Sequence, residues 1–253
     1  MTLAARRVVP LPLAALALLA ALSAGCGGAS RPTAPAAAAA AGFESQVESV
    51  TDGDTVRINP PVLGATSVRL LNVDAPERNG NTQEPWASEA TAELQGLLPV
   101  GTRVRLDTDT TPTDTFRRLL AHVSRAGDAV AVNRELLRRG RVSLYVIWPN
   151  TARFEEYRTA QAAAQREGLG IWQPGRSLAE LPFEYRRRQE GTSLSRPVGD
   201  FFTRFYVPPA SFGAVPSGNR VFFSSTQEAD SAGFRPCPSD GGSYSASCFG
   251  PQG

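Results

Sequence analysis

Beyond residue 43 the chain alternates between short runs of β-branched and aliphatic residues and longer stretches with apolar residues at helical spacing. Val47–Val50, Thr55–Ile58 and Val68–Val73 read as strands, separated by Asp52-Gly53 and by the Asn59-Pro60-Pro61 break. From Pro85 to about Leu98, Ala87, Ala90, Leu94 and Leu97 fall on one face of a helix. Val104–Leu106 and Leu119–Ser124 are further strands, the second followed by the turn Arg125-Ala126-Gly127-Asp128. Asn133–Arg139 reads as a short helix stopped by Gly140, because glycine takes a left-handed conformation without steric cost. Val142–Trp148 is another β-branched and aromatic run, and a last long helix runs from about Ala152 to Glu167, ended by Gly168. About five strands and three helices, many of the strands antiparallel in order, suit an α+β, mainly β fold such as a small barrel with helices packed outside, a closure that periodicity alone does not establish.

The N-terminus is patterned differently. Arg6 and Arg7 precede the apolar stretch Val8–Leu22 and the small residues Ser23, Ala24 and Gly25, which describes a secretory signal over residues 1–25. This is the one long apolar run, so a protein of several membrane-spanning helices is excluded. Leu22-Ser23-Ala24-Gly25-Cys26 resembles the lipobox of bacterial lipoproteins, with Ser23 where an aliphatic residue is usual. That resemblance implies acylation of Cys26 and a lipid anchor on the outer side of a bacterial membrane; plain secretion is the alternative. Residues 26–42, rich in Ala, Pro, Gly and Ser, read as a flexible tether.

Composition narrows the chemistry. The 253 residues are 42% hydrophobic and 20% charged, an ordinary globular balance. All 26 basic residues are arginine, so neither a lysine Schiff base nor a P-loop lysine is available. A single histidine, His122, rules out an HExxH zinc site, and His122 itself is expected on the exposed side of its strand. The net charge is +2, and loss of Arg6 and Arg7 with the leader brings it to zero, so attraction for polyanions must come from local arginine clusters. What remains is work for carboxylates and arginines.

Three clusters carry such groups: Asp52-Gly53-Asp54-Thr55, then Arg69 through Asp74-Ala75-Pro76-Glu77, then Thr113-Asp114-Thr115-Phe116-Arg117-Arg118. Taken singly, each reads as a hairpin turn, a proline-stiffened strand end or a solvated charge pair. Together, Asp54 and Asp74 each lie at the tip of an apolar strand, where a sheet can bring two carboxylates together around a cation. Hard oxygen ligands without His or Cys favour calcium or magnesium over zinc. Arg69, alternating with Leu70 and Leu71 in a largely buried strand, calls for an anion.

The order and spacing of these clusters, with the Gly140 turn, Pro149-Asn150 and Gly170-Ile171-Trp172, resemble the staphylococcal-type thermonucleases over about Phe43–Trp172. The resemblance implies a five-stranded OB-fold barrel with three helices and calcium-dependent cleavage of DNA and RNA phosphodiesters by a monomer. It assigns Asp54, Asp74 and the Ala75 backbone carbonyl to the metal, Glu77 to general base, Arg69 and Arg118 to phosphate binding, and Asp52 to a position behind the metal ligands. Thr115 and Phe116 depart from the family's lysine and tyrosine there. The family's base-stacking tyrosine maps near Val146, with Tyr145 or Trp148 as substitutes. A non-catalytic OB-fold module binding nucleic acid or another polymer at the cell surface is the alternative.

The nuclease unit is expected over 43–173, with a linker at 174–200 whose Arg186-Arg187-Arg188 run reads as a solvated helix face. Residues 201–253 resemble a degenerate Ada-type zinc-binding module: of its cysteine pair only Cys237 remains, with Asp240 at the second place. Val221–Phe223 is expected as a strand and Thr226–Ala232 as a helix, without a metal. Cys237 and Cys248 are expected to form a disulfide in an oxidising compartment.

Overall fold

The computed structural model describes residues 42–79, 82–240 and 243–250; the leader and Cys26 lie outside them. Strands β1 (Gly42–Val50), β2 (Thr55–Val62), β3 (Ala65–Leu70), β4 (Arg103–Asp107) and β5 (Leu119–Arg125) close into a barrel in the order β1-β2-β3-β5-β4. β4 returns to β1, and only β3 and β5 run parallel. Helices α1 (Ala87–Leu97), α2 (Val132–Arg138) and α3 (Phe154–Arg166) pack outside. This is the five-stranded OB-fold barrel expected.

Strand alternation builds the barrel. In β1, Ser45 and Val47 face inward while Gln46 and Glu48 face water. α1 buries Ala87, Ala90, Leu94 and Leu97, the predicted face. β2 passes through Asn59-Pro60-Pro61 where the sequence predicts a break. The ladder with β3 is interrupted between Arg57 and Val62, so the prolines, which have no N–H to offer, fall where no donor is needed. The turn to β3 comes instead at Leu63-Gly64, both with positive φ as a tight hairpin requires.

The Val142–Trp148 run is not one strand. Ser143–Leu144 pairs antiparallel with Val73–Asp74, while β6 (Val146–Ile147) joins a second sheet. That sheet is built with β7 (Val198–Asp200), β8 (Phe205–Val207), β9 (Arg220–Phe222) and β10 (Arg235–Pro236), in the order β6-β9-β7-β8-β10. β9 matches the expected strand, and α5 (Thr226–Ser231) the expected helix. In the chain, α4 (Pro182–Gln189) comes between α3 and β7. Val221, Phe223 and Phe234 join the barrel's core, while Phe183, Val198, Phe222 and the bonded pair Cys237–Cys248 form a second core.

His122 corrects an expectation: it is buried, 2% exposed, because β5 is covered on both faces. Its Nδ1 lies 2.8 Å from the Tyr157 hydroxyl of α3. Burial, with Arg153 adding, lowers its pKa from 6.5 to about 3, so folding demands the neutral ring. The unfolded chain then takes up a proton that the folded chain refuses as pH falls below 6.5. His122→Gln, which cannot titrate, should gain stability relative to the parent by up to about 1.4 kcal/mol per pH unit in that window. Urea unfolding of both proteins across it checks this; free energies that keep a constant difference refute it.

Candidate active site

The acidic residues sit where strands end. Asp54 closes the β1–β2 loop, and the Leu70 N–H donates to its carbonyl at 2.9 Å, tying the loop to β3. Gly53 lets that loop lie close: a Cβ there would come within 2.6 Å of Ala75 Cβ and 2.8 Å of Ala90 Cβ. The β2–β3 register pairs Thr55 with Arg69, placing the arginine beside Asp54. After β3 the chain turns at Asn72, with φ 63, into Val73–Asp74. Asn133 of α2 secures this turn: its Nδ2 donates to the Leu71 carbonyl at 2.9 Å, and its Oδ1 accepts from the Val123 N–H at 2.9 Å.

Arg69 is the hub. Its guanidinium forms ion pairs with both Asp54 and Asp74, the latter at 2.7 Å. Asp74 is fully buried and Asp54 is 6% exposed. Asp54 also accepts the Ala75 N–H at 2.7 Å and the Thr55 hydroxyl at 3.1 Å. Asp52 stands behind it, accepting the Asp54 N–H at 3.0 Å. Burial pushes the Asp52 carboxyl up, and the charge of Arg69 works against that rise.

Glu77 reaches the same place from the Ala75-Pro76 turn, and its partners lie outside the motifs that the sequence singles out. Its carboxylate pairs with Arg186 of α4, which also donates to both oxygens of Asp74 at 3.3 Å. The arginine run is therefore not a solvated face at its first member: a residue more than a hundred positions away answers two of the candidate acids. Burial opposes the Arg186 charge, but Asp74 and Glu77 outweigh it and raise its pKa. The other partner of Glu77 is Glu84, seven positions on and 1% exposed, whose carboxylate accepts the Glu77 N–H at 2.8 Å. Burial, reinforced by Asp74 and Glu77, pushes Glu84 up to about 7. The only local signal for Glu84 is its place just before Pro85. Arg186 carries only its membership of a basic run.

Arg118 does not touch these acids. It is held by Asp114, whose carboxylate takes the Arg118 Nε–H at 2.7 Å and the N–H groups of Phe116 and Arg118 at 2.9 Å. It lines the same cavity of about 620 Å³ as Asp52, Asp54, Arg69, Ala75 and Glu77, at whose loop Phe116 stands 78% exposed. Tyr145 and Trp148 line it too. Tyr145 is stacked on Phe183 at 5.4 Å, and Trp148 leans on Phe223 at 5.8 Å. The structure thus gathers Asp54, Arg69, Asp74, Ala75 and Glu77, with Asp52 and Arg118 on the same hollow. Cys237 and Cys248 belong to the second core.

The donors around Arg69 are all oxygen, and no His or Cys lines the cavity, which suits a hard cation. Among the described residues no three acidic, His or Cys side chains are grouped to hold an ion by themselves; Arg69 and Arg186 stand between the acids. Within the paired cluster itself, Asp54, Asp74 and Glu77 outnumber Arg69 and Arg186, so one carboxylate charge is left for a divalent ion to answer.

A family model described as Staphylococcal nuclease homologue matches residues 67–174. The chain is 37% identical over 202 residues to Endonuclease YhcR of Bacillus subtilis, covering 76% of this chain and 16% of that protein. A match of that extent cannot end at residue 174, so it runs on into the segment bearing α4. Endonuclease YncB of Bacillus subtilis is 30% identical over 130 residues, covering 50% of this chain and 60% of YncB. Thermonuclease of Staphylococcus intermedius is 33% identical over 133 residues, covering 50% of this chain and 74% of the thermonuclease. The chain thus spans a small part of YhcR and most of the thermonuclease. The likeness of residues 201–253 to a zinc-binding module finds no support in these matches. A likeness running through most of the thermonuclease, on a barrel whose strand tips carry the acid–arginine cluster, means that the chain belongs to the staphylococcal nuclease family.

Proposed function

We propose that this chain is an exported, calcium-dependent nuclease that hydrolyses phosphodiester bonds of DNA and RNA. The observation that carries the reading is the convergence of Asp54, Glu77 and Arg69 on the cavity that Arg118 also lines, with Asp74 buried behind and ion-paired to Arg69 and Arg186. Export rests on the leader and lipobox-like sequence and on the Cys237–Cys248 disulfide, a bond that lasts in oxidising compartments. The same leader supports a lipid anchor at Cys26.

A phosphodiester resists attack because its anionic oxygens repel nucleophiles, so the site must answer negative charge that grows at phosphorus. Asp54, Asp74 and the Ala75 carbonyl would hold calcium, which when bound supplies Lewis-acid stabilisation of that charge. Arg69 and Arg118 would take the non-bridging oxygens, and a guanidinium fork matches phosphate geometry in two bonds at once. Glu77 would accept the proton of the attacking water as the oxygen–phosphorus bond forms. The opposite phosphorus–oxygen bond then breaks, and the leaving alkoxide takes a proton from solvent. Glu77 can act as a base only when Arg186 lets go of it, and an incoming phosphate offers Arg186 that other anion. Glu84, bonded to the Glu77 N–H, keeps the base in place.

Arg69→Ala, Arg118→Ala and Glu77→Gln should each slow cleavage of single-stranded DNA on the order of 100-fold or more. The purified leaderless protein, assayed by release of acid-soluble nucleotide, decides this; rates near the parent's in the arginine variants refute their role. Chelation with EDTA should abolish cleavage and added calcium restore it. Retention of the strand uncut, with calcium present, would instead mark the chain as a binding module.

A further inference from the structure

The geometry points to a second phosphate-binding wall, made by Arg187 and Arg196, for the backbone phosphates of the polynucleotide beside the one being cut. It rests on the nuclease reading and extends it to the length of strand the protein holds. Neither arginine lies in residues 67–174, the range of the family model, yet both line the cavity that holds Arg69, Glu77 and Arg118.

The cavity's other arginines have their charge answered. Arg69 faces Asp54 and Asp74, Arg118 faces Asp114, and Arg186 faces Asp74 and Glu77. Among the described residues Arg187 pairs only with Glu190, one helical turn away at 3.4 Å and half exposed. Arg196 is half-buried and has no ion pair among the described residues. An arginine partly removed from water at a cavity wall without a counter-ion pays a desolvation cost that a bound anion offsets. The 111–118 loop lines the same cavity with threonines, Phe116 and Asp114, and with Arg118 as its one cavity-lining cation.

The wall is fixed in place. α4 opens on Pro182, Glu184 caps its start through the Leu181 N–H at 2.8 Å, and Phe183 packs on Tyr145 and Phe222 at 5.4 and 5.2 Å. Arg186, turned into the acids, leaves its neighbour Arg187 at the cavity's edge. Arg196 precedes Pro197, whose carbonyl accepts the Phe223 N–H at 3.0 Å at the entry to β7. Two guanidiniums held at set positions along a groove wall suit a repeating anion, as in a nucleic-acid strand, better than an isolated phosphate.

The test is binding of fluorescein-labelled oligothymidylate by anisotropy in EDTA, so that no cutting intervenes, over a series of salt concentrations. The proteins are the parent, an Arg187→Gln/Arg196→Gln double variant and an Arg187→Lys/Arg196→Lys double variant. For a strand of about a dozen nucleotides, the Gln variant should bind about tenfold more weakly, with a salt slope shallower by about 1.4, roughly 0.7 for each phosphate that is no longer neutralised. For a dinucleotide with one phosphodiester the change should stay under about twofold, and the Lys variant should keep the parent's slope. An unchanged slope, or an equal weakening for dinucleotide and long strand, overturns the wall. Cleavage with calcium then separates the two readings: a parent that binds with this length dependence but cuts nothing sinks the nuclease and spares the wall. A parent that cuts while the Gln variant binds unchanged does the reverse.

Discussion

The placement of Arg69 between Asp54 and Asp74 is the constraint on which the rest of the structure turns. Two carboxylates with almost no access to water cannot both remain ionised beside each other unless a cation sits between them. The barrel meets that demand with backbone geometry. Pairing of Thr55 with Arg69 sets the arginine beside Asp54, and the Asn72 turn brings Asp74 back onto the same guanidinium. Gly53, without a side chain, and Asn133, bridging the residue after β3 to the middle of β5, make this return possible. The acids are therefore held in an arrangement that is costly whenever unpaired, and another cation can enter it only by sharing or replacing a guanidinium.

How much of this is legible in the sequence depends on the distance over which each feature is decided. The barrel strands, α1 and the acids at the strand tips follow from patterns a few residues long, in which apolar spacing and Asp-Gly or Ala-Pro turns act locally. The extension of β2 through Pro60 and Pro61 does not, because it depends on where the β3 ladder is interrupted. The division of Val142–Trp148 has the same cause: one apolar run has two partners, Val73–Asp74 and β9, and the run itself does not reveal either. His122 alternates like an exposed residue, but α3 covers that face with Tyr157.

The site is legible in its first members and not in its supports. Asp54, Arg69, Asp74, Glu77 and Arg118 belong to short motifs whose residue types already suggest their chemistry. Glu84 and Arg186 act through contacts that only folding creates, the second from beyond the range of the family model. A run of three arginines has the same composition whether it faces water or acids. Here Phe183, stacked on Tyr145, fixes the helix so that Arg186 faces inward.

The parallel contact of Val146–Ile147 with Val221–Phe222 makes the short strand that follows the barrel the edge of the second sheet. An unpaired edge of that kind is a template for adding a strand from another molecule. With β9 in place the edge is covered from within the chain, and Trp148 completes the seal by donating its N–H to the Phe222 carbonyl at 3.0 Å. The C-terminal polypeptide thus covers a strand that lies outside the closed barrel, and a copy arrested before β9 is synthesised would present a sticky seam next to its own cleft.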